Sequence, residues 1–93
     1  MKLWIDDLRT APEGWLWAKT SKEGLLALRH YGDKITEVSF DHDLGGVDTT
    51  RPVVLWLCEN GGWPAICRVH TANPVGREWL EGNIDNYGPG VTR

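Results

Sequence analysis

The sequence predicts an α/β domain, a mainly parallel sheet with helices on both faces. Short apolar runs of strand length alternate with segments that carry helix start and stop signals. Three of the four runs end in polar clusters, as the carboxyl ends of buried parallel strands do at a ligand-binding edge. The chain has 93 residues and no linker, internal repeat or low-complexity stretch, so it is read as one domain. The ordered core is expected over about residues 1–86, with a C-terminal tail over 87–93.

Leu3-Trp4-Ile5 is the first strand, and it turns polar at Asp6-Asp7. Leu8 to Gly14 contains Pro12 and Gly14 and reads as a loop. Trp15 to Lys19 is the second strand. Thr20 with Glu23 three residues on is a capping box that opens the first helix, with Leu25, Leu26 and Leu28 apolar and Gly32 as the stop. Ile35 to Phe40 is the third strand and runs into Asp41-His42-Asp43-Leu44-Gly45-Gly46. Thr49 or Thr50 caps the second helix, Pro52 falls in its first turn, Val53 to Leu57 make it well buried, and Asn60-Gly61-Gly62 ends it. Ala65 to Val69 is the fourth strand, followed by His70-Thr71-Ala72. Asn73 caps a last helix with Pro74 at its first position, and Gly82 and Tyr87-Gly88-Pro89-Gly90 close the ordered chain.

Composition narrows the function classes. The formal charge is −3 and no basic stripe is present, which argues against a duplex nucleic acid partner. A small nucleotide remains compatible, because a metal ion or a helix N-terminus can meet its charge. Six Trp in so short a chain either fill a small core or offer a stacking platform for a base. Cys58 and Cys67 have no metal-site spacing and read as buried free thiols of a cytosolic protein. No signal peptide or membrane-length apolar run is visible, so a cytoplasmic location and no membrane contact are expected.

The polar strand ends carry the chemistry. Parallel topology brings Asp6, Asp7, Asp41 and Asp43 to one edge, where four carboxylates repel in a rim of low dielectric. A hard divalent cation such as Mg²⁺ or Mn²⁺ is the natural counter-charge. Each Asp also has a plain alternative: Asp7 can cap the turn or pair with Arg9, and Asp43 can close the Gly45-Gly46 turn. His42 and His70 are either general acid–base groups or packed, hydrogen-bonded histidines. His30, at a helix end, reads as solvated. Asn73 to Arg77 begins the last helix at the same edge, where free N–H groups favour an anion. Gly76 is expected to let a ligand approach, and Arg77 to fork onto phosphate oxygens.

Taken together, Asp6-Asp7-Leu8-Arg9, Asp41-His42-Asp43-Leu44-Gly45 and His70-Thr71-Ala72-Asn73-Pro74-Val75-Gly76-Arg77 resemble the cyclic-phosphate-processing receiver domain family, from Met1 to about Asn83. The resemblance implies a truncated flavodoxin/receiver-like three-layer fold with a four-stranded sheet of order 2-1-3-4. It implies Asp6 and Asp7 as the Mg²⁺-holding acidic pair, Asp41 at the phosphoacceptor position, and Thr71 as the hydroxyl that contacts phosphate. His42 and His70 mark the cyclic-phosphate variant. The implied function is metal-dependent phosphoesterase action on cyclic phosphates of nucleotides, cyclic oligonucleotides or RNA ends. Asp41, His42 and His70 are then the catalytic candidates, and Arg9, Thr71, Asn73, Gly76 and Arg77 the ligand-binding ones.

The chain departs from ordinary receivers. No fifth strand or its lysine is found, and the first helix is reduced to the Leu8–Gly14 loop. Signalling through an aspartyl phosphate is therefore the least favoured reading. A non-catalytic module that sequesters a cyclic nucleotide, such as a phage decoy against a bacterial host's defence, is the main alternative. An unpaired fourth-strand edge also suggests a homodimer.

Overall fold

The computed structural model describes residues 1–93 and contains four strands and three α-helices: β1 (Lys2–Ile5), β2 (Leu16–Ala18), α1 (Ser21–Tyr31), β3 (Glu37–Phe40), α2 (Arg51–Asn60), β4 (Ile66–Val69) and α3 (Pro74–Tyr87). All strand pairs are parallel and the order is β2-β1-β3-β4, as the sequence led us to expect. The order reverses beside β1. The carboxyl ends of β1 and β3 therefore lie together, with that of β4 next to them.

The helix starts follow their signals. At α1 the Thr20 side chain accepts from the Glu23 N–H at 3.1 Å, and the Glu23 carboxylate accepts from the Lys19 N–H at 2.7 Å. At α3 the Asn73 side chain accepts from the Gly76 N–H at 3.1 Å, behind Pro74 in the first turn. At the start of α2 it is the Thr49 hydroxyl that accepts from the Arg51 N–H, at 3.2 Å, while the fully buried Thr50 hydroxyl has no partner. α3 runs through Gly82 and ends at Tyr87, the later of the two stops the sequence offered. A single helical glycine costs about 1 kcal/mol, and the burial of Leu80 and Ile84 on either side outweighs it.

Side chains alternate across the sheet, and the two faces differ in kind. Leu3, Ile5, Val38, Phe40 and Cys67 point into a core with Val53, Val54, Leu57, Leu80 and Ile84 from α2 and α3. α1 seats closely there: a Cβ on Gly24 would lie 3.1 Å from the Ile5 side chain. α2 packs against both α1 and α3, so all three helices share this face.

The expected layer on the other face is built from side chains in place of helices. Trp17, Trp4, Ser39 and Arg68 stand in register across the four strands. The Trp4 ring stacks on His70 at 3.9 Å and meets the edge of Trp15 at 5.8 Å. Lys19 lies 4.4 Å over Trp17 and Lys2 lies 5.5 Å over Trp15, while Glu37 pairs with Arg68 at 3.0 Å. The Leu8–Gly14 connection forms no helix to cover this face, and the tryptophans shield it instead.

The β4 edge is partly covered, where the sequence suggested a bare one. Val91 forms a parallel bridge with Cys67, and the Thr92 N–H donates to the Cys67 carbonyl at 2.7 Å. The Asp85 carboxylate, accepting from the Val91 N–H at 2.9 Å, fixes the strap to α3. Both cysteines are free, and burial pushes the Cys67 thiol up to about 12. No helix is long and apolar enough to cross a membrane.

Candidate functional site

The strand ends enclose a cleft of about 320 Å³. The β1 end supplies Asp6, Asp7, Leu8 and Arg9, the β3 end Asp41, Asp43 and Gly45, and the β4 end Thr71, Ala72 and Asn73. Convergence of these three segments is what the topology requires, since β1, β3 and β4 are neighbours.

Asp6 is almost fully buried, at 1 % exposure. Its Oδ1 accepts from the Leu8 N–H at 2.8 Å and the Arg9 N–H at 2.9 Å, and its Oδ2 lies 2.9 Å from His70 Nε2. Burial pushes its pKa up, but the Arg9 and Leu8 N–H groups and His70 outweigh burial and hold it below 3.8. Asp7 and Asp41 are half-buried. Asp41 Oδ1 accepts from the His42 N–H at 2.8 Å, and Asp7 makes no side-chain hydrogen bond. Oxygens of Asp6, Asp7 and Asp41 all lie within 4.8 Å of one another. Gly45 brings the β3 loop against this group: its φ is +90°, and a Cβ there would lie 3.1 Å from Asp7 Oδ2.

The donor set suits a hard cation. All three groups are carboxylates, and no thiolate or imidazole nitrogen joins them. A carboxylate has about four acceptor positions; Asp6 has filled three from its own chain. Asp7 and Asp41 thus have more free acceptor positions than Asp6 to offer such a cation.

Asp43 stands apart from this trio. Its Oδ2 accepts from Asn73 Nδ2 at 3.0 Å and its Oδ1 lies 3.2 Å from His42 Nδ1. The Asn73 hydrogen bond outweighs the opposing effect of burial and, with the pairing to His42 and the Arg51 charge, holds its carboxyl below 3.8. It ties the β3 loop to the start of α3.

Neither histidine presents a free nitrogen to the cleft. His42 is buried; Arg51 Nε donates to its Nε2 at 2.9 Å, which leaves Nδ1 to donate to Asp43. Arg51 in turn lies 4.7 Å over Trp79. His70 has Ser39 Oγ at 2.7 Å from Nδ1 and Asp6 at 2.9 Å from Nε2. Burial lowers its pKa from 6.5, and the partly compensating Asp6 charge does not reverse this.

The remaining candidates divide. Arg9 lines the cleft and its guanidinium donates to the His70 carbonyl. Thr71 is buried in the wall, and its Oγ1 accepts from the Asn73 N–H at 3.2 Å. Gly76 is not an opening for ligand: a Cβ there would lie 2.4 Å from His42 Cγ, so it seats α3 on that ring. Arg77 does not line the cleft; it donates to the Thr71 carbonyl at 2.9 Å and pairs with Glu81 at 3.4 Å. The first turn of α3 offers little to an anion. Pro74 has no N–H, and those of Gly76 and Arg77 are taken by Asn73. Ser39, Trp4 and Arg51, which hold the histidines, escaped the sequence reading; a lone hydroxyl in an otherwise apolar strand was the available signal for Ser39.

A four-stranded parallel sheet of this order, with an acidic cluster at the carboxyl ends of β1 and β3, defines a receiver-like domain. The chain belongs to the cyclic-phosphate processing receiver domain family, whose model matches residues 1–86. The searches of curated proteins and of solved structures gave no match.

Proposed function

We propose that this domain is a metal-dependent phosphoesterase that opens cyclic phosphates of nucleotides, cyclic oligonucleotides or RNA ends. The observation that carries the reading is the trio Asp6, Asp7 and Asp41, with carboxylate oxygens within 4.8 Å, in a cleft walled by Arg9 and Thr71. In the reaction, water oxygen bonds to phosphorus, one ring P–O bond breaks, and the leaving oxygen takes a proton. The product is a phosphomonoester. A Mg²⁺ or Mn²⁺ ion, when bound, supplies Lewis-acid polarisation of the phosphate and a more acidic water.

The chain's own groups do the rest. Asp7 and Asp41 hold the ion, with Asp6 as a third, buried ligand. The Thr71 hydroxyl and the Arg9 guanidinium steady the phosphate oxygens. His42 and His70 act from behind, holding Asp43 and Asp6, and proton transfer falls to the carboxylates facing the cleft. Incubation with Mn²⁺ and a panel of cyclic mononucleotides, cyclic oligonucleotides and RNA 2′,3′-cyclic ends, read by mass spectrometry, tests this. The expected result is a ring-opened product, lost in Asp41→Asn. Loss of one carboxylate is also expected to weaken Mn²⁺ binding at least about tenfold. A panel left uncut rules the enzyme out.

The engagement of all four ring nitrogens of His42 and His70 favours a second reading, a module that holds a cyclic nucleotide without cutting it. Intact ligand recovered from a stoichiometric complex in the same incubation identifies that case.

A further inference from the structure

A buried hydroxyl in the middle of a strand must find a partner, because leaving it unpaired costs more than the residue contributes. Ser39 is such a group, 3 % exposed between Val38 and Phe40 in β3. Its hydrogen-bonding partner is His70 Nδ1, at 2.7 Å. The other nitrogen of that ring lies 2.9 Å from Asp6 Oδ2. Trp4 stacks on the ring at 3.9 Å with 7° between planes and restrains its tilt from that side.

Proton bookkeeping along this chain has one consistent solution. An ionised Asp6 accepts and never donates, so His70 Nε2 carries the proton. In the neutral imidazole Nδ1 is then the acceptor, and the Ser39 hydroxyl donates to it. Three of the roughly four acceptor positions on Asp6 are filled from the Leu8 and Arg9 N–H groups and from His70. We propose that Ser39 is a positioning residue: by donating to Nδ1 it anchors the His70 ring, which in turn orients Asp6, and so sets the buried end of the cation site. The proposal rests on the reading that Asp6, Asp7 and Asp41 hold a divalent ion. Ser39 never touches that ion and acts through two hydrogen bonds in series.

The test uses the full chain, ¹⁵N-labelled, and two readouts. Long-range ¹H–¹⁵N correlation reports which nitrogen of His70 is protonated, and titration calorimetry with Mn²⁺ reports affinity. In the native protein Nε2 is expected to be protonated and Nδ1 bare. Ser39→Ala is expected to leave Nδ1 without a donor, seen as a displaced Nδ1 ¹⁵N shift in the same correlation, and to weaken Mn²⁺ binding about tenfold, and Ser39→Thr to keep both native. Should Ser39→Ala fail to fold, Ser39→Cys, a much weaker donor, takes its place. An alanine or cysteine variant with a native Nδ1 shift and native affinity overturns the proposal. A native protein that ignores Mn²⁺ overturns the metal reading instead, and the Nδ1 shift alone then decides whether Ser39 anchors His70.

Discussion

Asp6 and His70 share one hydrogen bond, and their titrations bear on stability in the same direction. His70 in the folded protein titrates below 6.5, mainly because it is buried. Between its folded pKa and 6.5 the unfolded chain binds more protons, so stability is full above 6.5 and declines as pH falls below it. Asp6 titrates below 3.8 when folded, so its contribution is present above 3.8 and is lost as pH falls through the folded value. Urea midpoints measured in chelator are therefore expected to fall in two stages on acidification. His70→Asn should flatten the upper stage while lowering the whole curve. A midpoint independent of pH between 7 and the Asp6 stage would contradict the burial assigned to His70. At this scale the sequence showed which residues meet, since Asp6, Asp7, Asp41 and Thr71 all sit at strand ends. It did not show which way the histidine nitrogens point. That depends on Arg51 and Ser39, whose spacing from their partners follows no local pattern.

Two glycines of α3 show how differently one residue type acts within an element. Gly76 lies where any Cβ would penetrate the His42 ring, at 2.4 Å from Cγ and 2.7 Å from Cβ. Gly76→Ala is expected to cost about 1–3 kcal/mol by overpacking, read as a lower urea midpoint. Gly82 has nothing within 4 Å of the added Cβ. Gly82→Ala should stabilise by about 0.4–1 kcal/mol, by restricting the unfolded chain and favouring the helix. Opposite signs for two identical substitutions in one helix separate packing from propensity. The caps of α1 and α3 were legible because a capping residue acts within three or four positions. The run of α3 past Gly82 was not, since it depends on Leu80 and Ile84 finding α2 and the sheet.

The whole molecule is a sheet with helices on one side and Trp4, Trp15 and Trp17 on the other. The parallel sense followed from alternation of apolar runs and helical segments, and the strand order from the family resemblance. The one-sided arrangement is a matter of connection length. Leu8–Gly14 makes no helix, and after α3 only Val91 reaches the sheet. That strap guards half an edge. Deleting residues 91–93 exposes the Cys67 carbonyl and the adjoining ladder, and is expected to promote pairing between chains. Light scattering coupled to size exclusion checks this, and an unchanged mass would show that the strap protects nothing. The tryptophan face has a consequence of its own. Trp4 lies flat on the imidazole whose other nitrogen grips a cleft carboxylate, so an indole sits two contacts from the proposed ion. The domain thus carries its own optical gauge. Titration with paramagnetic Mn²⁺ should dim its intrinsic emission where Mg²⁺ scarcely does, and Trp4→Phe should shrink the Mn²⁺ response.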